Sequence, residues 1–255
     1  MSPLSDKVVL VTGATDGHGR GLVDALNAEG ATVLAHGRSD DRLAAVPAAR
    51  SYRADLSSLD EVRAMAAEVL EKEDRIDILV NNAGIGLIEP REESRDGIEL
   101  VFAVNYLAHY LLTRELLPIV GERIVQVSSA GQEPIDFDDP LQERSYSGWQ
   151  AYAQSKLAQI LHAIDLTENE LAGTGVTANA LHPSTFMDTK MVPSPTSTVA
   201  DGVAATMRLI TDPALEGRSG LYFNVQRESR AHDQAYDPGA RAALRQLSEE
   251  LVRGA

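Results

Sequence analysis

Along the chain, short runs of β-branched and other apolar residues alternate with longer stretches in which apolar residues return every three or four positions. The first pattern predicts buried strands and the second amphipathic helices. Strands are expected at residues 8–11, 31–35, 51–54, 76–80, 123–127, 176–181 and 221–225. Helices are expected after Gly21 and at about 59–70, 98–117, 151–173, 199–210 and 240–252. This alternation gives an α/β fold class: a doubly wound parallel sheet in a single domain over residues 1–255, with helices on both faces. Two stretches interrupt it. One is a polar, acidic insert at about 132–150 with Pro134, Pro140, Tyr146 and Trp149; the other, at about 184–200, reads as a long substrate loop or lid.

The strand ends carry the candidate chemistry, because ligands of open α/β sheets bind beyond the carboxyl ends of the strands. Gly13, Gly17, Gly19 and Gly21 stand between the first strand and the first helix, the layout that brings backbone N–H groups to a phosphate. The second strand ends in His36-Gly37-Arg38, where an arginine accommodates a 2′-phosphate; this favours NADP(H) over NAD(H). Asp40 and Asp41 behind it start a short helix on this reading. Asp55, with Leu56 at the third strand end, is either a turn residue or a partner of an adenine amino group. Asn81-Asn82-Ala83-Gly84 closes the fourth strand and is expected to be a hydrogen-bonded hub. Ser128 and Ser129 close the fifth. Tyr152 and Lys156, four apart on a predicted helix, share a face, and the ammonium favours the phenolate of its neighbour. Asn105, inside a helical pattern, is locally unfavourable.

Composition narrows the function. With 44% apolar and 24% charged residues the chain can bury a substantial core. A net charge of −15 argues against nucleic acid and anionic membrane surfaces. There is no cysteine, and the six His are dispersed without metal-ligand spacing, so no disulfide and no catalytic metal are expected. The first seven residues lack the build of a signal peptide and no run approaches a membrane span, which predicts a cytoplasmic protein.

Thr12-Gly13-x-x-x-Gly17-x-Gly19, Asn81-Asn82-Ala83-Gly84, Asn105, Ser129 and Tyr152-x-x-x-Lys156 together resemble the short-chain dehydrogenase/reductase family, over essentially the whole chain. The long Ser129-to-Tyr152 spacing and the His182-Pro183 strand end look most like its retinol-dehydrogenase-like branch. The resemblance implies a Rossmann-type fold with Tyr152 as general acid/base. Lys156 lowers its pKa and holds the nicotinamide ribose, Ser129 bonds the substrate oxygen, and Asn105 holds a water in a proton relay. The cofactor contacts it implies are Gly13, Thr15, Gly17, His18, Gly19, Arg38, Asp55, Leu56, Asn82, Ala83, Gly84, Tyr152, Lys156, Pro183 and Thr185, with Thr189 an alternative to Thr185. His18 departs from the family's apolar residue, and Ser184 from its usual glycine. The expected partner is a small, relatively apolar alcohol, ketone or aldehyde; the apolar character is read from Trp149, Phe186, Met187, Met191 and Met207 near the predicted mouth. The alternative is an NADP(H)-binding regulatory or scaffold protein with little turnover. Pairing of two copies through the two long helices is the expected route to any homo-oligomer.

Overall fold

The computed structural model describes residues 4–190 and 192–254; Met191 lies outside the described residues. One sheet runs through it, with strands β1 (Val8–Val11), β2 (Thr32–Gly37), β3 (Arg50–Arg53), β4 (Ile76–Asn81), β5 (Val120–Val127), β6 (Thr177–His182), β7 (Tyr222–Asn224) and β8 (Arg227–Ser229). Their spatial order is β3-β2-β1-β4-β5-β6-β7-β8. All pairings are parallel except the last, where β8 returns antiparallel to β7. β8 was invisible to the apolar pattern because Arg227 and Glu228 are exposed.

Successive residues of the central strands point to opposite faces. Leu10, Leu34, Leu79 and Ile124 enter one core, beneath α3 (Leu59–Lys72), α5 (Ala108–Leu116) and α6 (Gly148–Asn169). Val9, Val33, Ile78 and Val125 enter the other, beneath α1 (Gly17–Ala28) and α7 (Val199–Thr211). Such two-sided burial makes these strands read as unbroken apolar runs. Asp40 and Asp41 do open a one-turn helix, α2 (Asp40–Leu43), capped by Ser39.

The predicted helix over 98–117 is three pieces: α4 (Leu100–Phe102), a π-helical turn Ala103–Leu107, and α5. Asn105 sits in the π turn, a device frequent at functional sites. The insert is shorter than expected, since α6 begins at Gly148 under a Ser147 cap. The last helix, α8 (Pro238–Gly254), lies across α6 and reaches the π turn before α5. It is held by Arg245 to Asp165, by Arg241 to Glu168 at 2.6 Å, and by Tyr106 to Ser248 at 2.8 Å, with Leu244 buried beneath. No helix among the described residues is long and apolar enough to cross a membrane.

Candidate active site

The sheet reverses its winding between β1 and β4, and the crevice beyond their carboxyl ends is built from the predicted strand-end residues. Thr12 is its hub. Its buried Oγ1 accepts from the backbone N–H groups of Asn82 (2.8 Å) and Ala83 (2.9 Å), while Asn82 Nδ2 donates to the Thr12 carbonyl (2.8 Å). Gly13 follows at φ +67°, and a Cβ there would stand 2.9 Å from Ala83 Cα. At Gly19 a Cβ would fall 2.2 Å from the Gly13 carbonyl oxygen, so only glycine lets the helix start this close.

Three buried histidines pin this turn. Gly13 N–H donates to His36 Nδ1 (3.2 Å), whose Nε2–H donates to the Ala54 carbonyl (3.1 Å). His109 on α5 lies 3.0 Å from Thr12 Oγ1 and 3.0 Å from the Asn105 carbonyl oxygen. Thr12 already accepts two N–H groups, so its proton goes to His109 Nε2, and His109 donates from Nδ1 to Asn105. His18, the departure in the glycine loop, bridges Asn82 Oδ1 (2.8 Å) and Thr206 Oγ1 of α7 (3.1 Å). Burial lowers the pKa of all three, His36 to about 4 and His109 to about 3. Nothing in the sequence marked His36 or His109 for this work.

The adenosine end is open. Arg38 is exposed at the end of β2, and Arg42 of α2 reaches back to the Thr15 carbonyl (3.3 Å) and to Asp16 (2.9 Å). Asp55 is a turn residue that accepts from Ser57 N–H (3.0 Å) and pairs with Arg95 (3.2 Å); Leu56 turns its side chain into the core. The glycine approach to the N-terminus of α1, with no acidic residue in its first turn, fits a dinucleotide's phosphates.

At the reacting end, the Ser129 hydroxyl and the Tyr152 phenol face each other. Burial raises the phenol's pKa above its ordinary value, and Ser129 opposes that rise. Lys156 is buried, and burial alone lowers its ammonium to about 8. Its Nζ donates to the Val127 carbonyl (3.0 Å) and to Gln159 Oε1 (3.1 Å) and stands over the Tyr152 ring. The pair thus shares a face as the spacing implied, but the phenol's rise comes from burial and is opposed by Ser129, with no lowering by Lys156. Asn105 does meet the site, though as a brace. Its Oδ1 accepts from Ile85 N–H (2.8 Å), and its Nδ2 donates to Ser155 Oγ (3.0 Å).

The loop after β6 folds back on itself, with Thr196 N–H donating to the Phe186 carbonyl (2.9 Å). Pro183 is buried, and Thr185 Oγ1 lies 2.9 Å from His182 Nε2 at the strand end. Thr189 instead rests against Gly17, and Lys190 pairs with Asp16 at 2.5 Å. Of the apolar residues expected at the mouth, Trp149 and Phe186 are exposed there. Met207 is not; it packs against the core beneath α7. Met187 packs its thioether against Gly202 of α7. Leu87, which the apolar pattern does not single out, is 60% exposed in the segment after Gly84. No cluster of possible metal ligands occurs among the described residues.

Comparison with known proteins gives the family. The family model for short chain dehydrogenases matches residues 7–199. Human (Homo sapiens) retinol dehydrogenase 14 is 34% identical, the alignment covering 96% of this chain and 86% of that protein. A crystal structure of a protein from Mycobacterium paratuberculosis is similar at a TM-score of 0.83 and 30% identity, covering 98% of this chain and 94% of that one. A short chain dehydrogenase from Escherichia coli CFT073, complexed with NADPH, superposes at a TM-score of 0.72 with 25% identity, covering 89% and 99%.

Proposed function

The chain belongs to the short-chain dehydrogenase/reductase family, and from that premise we propose that it is an NADP(H)-dependent oxidoreductase acting on an alcohol or carbonyl group of an apolar small molecule. The observation that carries this reading is the convergence of the Tyr152 phenol, the Ser129 hydroxyl and the Lys156 ammonium behind the ring, with the glycine turn alongside. Bound NADP(H) supplies the hydride. Gly13, Gly17 and Gly19 let the backbone approach its phosphates, Arg38 meets the 2′-phosphate, and Lys156 holds the nicotinamide ribose. In the reducing direction Ser129 orients the carbonyl oxygen and Tyr152 gives its phenolic proton to that oxygen as negative charge develops. Lys156 then favours the phenolate left behind. Asn105 fixes the turn after Gly84 against α6 through Ile85 and Ser155.

A scaffold protein without turnover has no use for a buried lysine, which costs stability when charged. The NADPH-bound E. coli relative supports the phosphorylated cofactor. The test is single-turnover hydride transfer to a ketone by Tyr152→Phe with NADPH bound. A loss of about 10²–10⁴-fold is expected; undiminished chemistry removes Tyr152 from the mechanism.

A further inference from the structure

Four large apolar side chains are exposed among the described residues: Leu70, Leu87, Trp149 and Phe186. Leu70 lies on α3, away from the crevice. The other three belong to the segments that follow β4, open α6 and follow β6, so they ring the approach to Ser129 and Tyr152. Leu87 is brought there because Ile88 and Glu89 pack against Gly148, the residue before Trp149.

Trp149 is the one held most firmly. It stands three residues before Tyr152 on α6, hence on the same face, with ring centres 6.3 Å apart at a tilt of 36°. The edge of its six-membered ring lies over Gly131, where a Cβ would come within 2.8 Å of Cη2. Gly131 N–H in turn donates to Ser129 Oγ (3.1 Å). The indole is thus clamped between the proposed proton donor and the turn carrying its serine partner, yet it remains 49% exposed. A clamped but open aromatic plane beside the reacting atoms is a wall offered to a ligand.

Charge limits what that ligand is. Glu89 sits directly at the start of α6, and residues 132–147 hold Glu133, Asp136, Asp138, Asp139 and Glu143. Two bases stand against them: Arg144, which pairs with Asp139, and Arg91, which bonds the Leu141 carbonyl and pairs with Glu93. An anion is repelled from this mouth.

Building on the oxidoreductase reading, we infer that Trp149 is a specificity-determining residue that selects neutral carbonyl compounds bearing the C=O on a flat aromatic plane, stacked on the indole. Apolar bulk alone does not satisfy the site: offset stacking on an indole adds to area burial only for a flat π partner.

Trp149 is the only tryptophan in the chain, so its fluorescence reports this wall directly. The probes are acetonaphthone, its carboxylate derivative and the saturated counterpart, decalinyl methyl ketone, each titrated with NADP⁺ present and then assayed with NADPH. Acetonaphthone is expected to quench saturably, with the carboxylate at least about tenfold weaker at low salt. Trp149→Ala should raise KM for acetonaphthone about tenfold relative to the decalinyl ketone with kcat nearly unchanged, and Trp149→Phe should restore most of that ratio. Equal loss for both ketones, absence of quenching, or equal binding of the carboxylate overturns the inference. Saturable quenching without turnover of any probe leaves the stacking wall standing and defeats the oxidoreductase reading instead.

Discussion

Lys156 Nζ stands 5.8 Å from the centre of the Tyr152 ring, over its face, while its hydrogen bonds go to Val127 and Gln159. This places a cation behind the phenol at a cost that pH can reveal. Burial lowers Lys156 from 10.5 to about 8, so between those values the unfolded chain holds a proton that the folded chain has released. Stability from this group therefore rises with pH across that window, by about 3 kcal/mol in full. Urea unfolding of the wild type and Lys156→Met at pH 8 and pH 10.5 should show the wild type gaining that much on the variant. Parallel curves would mean that the ammonium is not desolvated.

Cofactor choice is expected to rest on Arg38. Removing a charge-assisted bond to a phosphate costs about 1.5–3 kcal/mol, so Arg38→Ala should weaken NADPH about 10–100-fold and leave NADH unchanged. Arg42 differs, because it is tied to the Thr15 carbonyl and Asp16. Arg42→Ala should loosen the glycine loop and weaken both cofactors alike. Calorimetric titration of both cofactors against both variants separates the roles; an unchanged NADPH/NADH ratio in Arg38→Ala refutes the first.

What was legible in the sequence follows from how each residue is determined. The central strands could be read because both faces are buried, and a run such as Ile78-Leu79-Val80 has no other use. β8 could not, because only its neighbour β7 makes it a strand. Asn105 stood out as an anomaly in a helix, but the π turn that resolves it depends on contacts with Ile85 and Ser155. Helical spacing puts both Tyr152 and Gln159 within reach of Lys156, and only the packing of α6 against β5 decides that the ammonium bonds Gln159 and Val127. Met207 was misplaced because which face of α7 meets the sheet is a tertiary fact.

Helix α8 covers the outer surface of α6 and the π turn before α5, part of the face through which two copies were expected to pair. Tyr106–Ser248, Arg241–Glu168 and Arg245–Asp165 fill it from within the chain. The protein should therefore run as a monomer of 27.4 kDa in light scattering. Truncation before Pro238 uncovers the buried side of this contact and should produce dimers or aggregates. A stable wild-type dimer that cross-links through α5 and α6 would contradict this.

The histidines predict an acid limit. His36 Nε2–H donates to Ala54 while Nδ1 accepts from Gly13, so a second proton would set N–H against N–H at the cofactor turn. Burial accordingly lowers His36 from 6.5 to about 4. As pH falls below 6.5 the unfolded chain takes up a proton that the folded chain refuses. This contribution is thus fully present above 6.5 and lost progressively down to 4, about 3 kcal/mol in all. His109, lowered to about 3 by the same cause, adds to the slope. The wild type should lose much of its urea midpoint between pH 7 and pH 4.5. His36→Gln, which cannot take up that proton, should start less stable at pH 7 but fall less steeply. Equal slopes would show that His36 is hydrated and that the Gly13 turn does not depend on its neutral form.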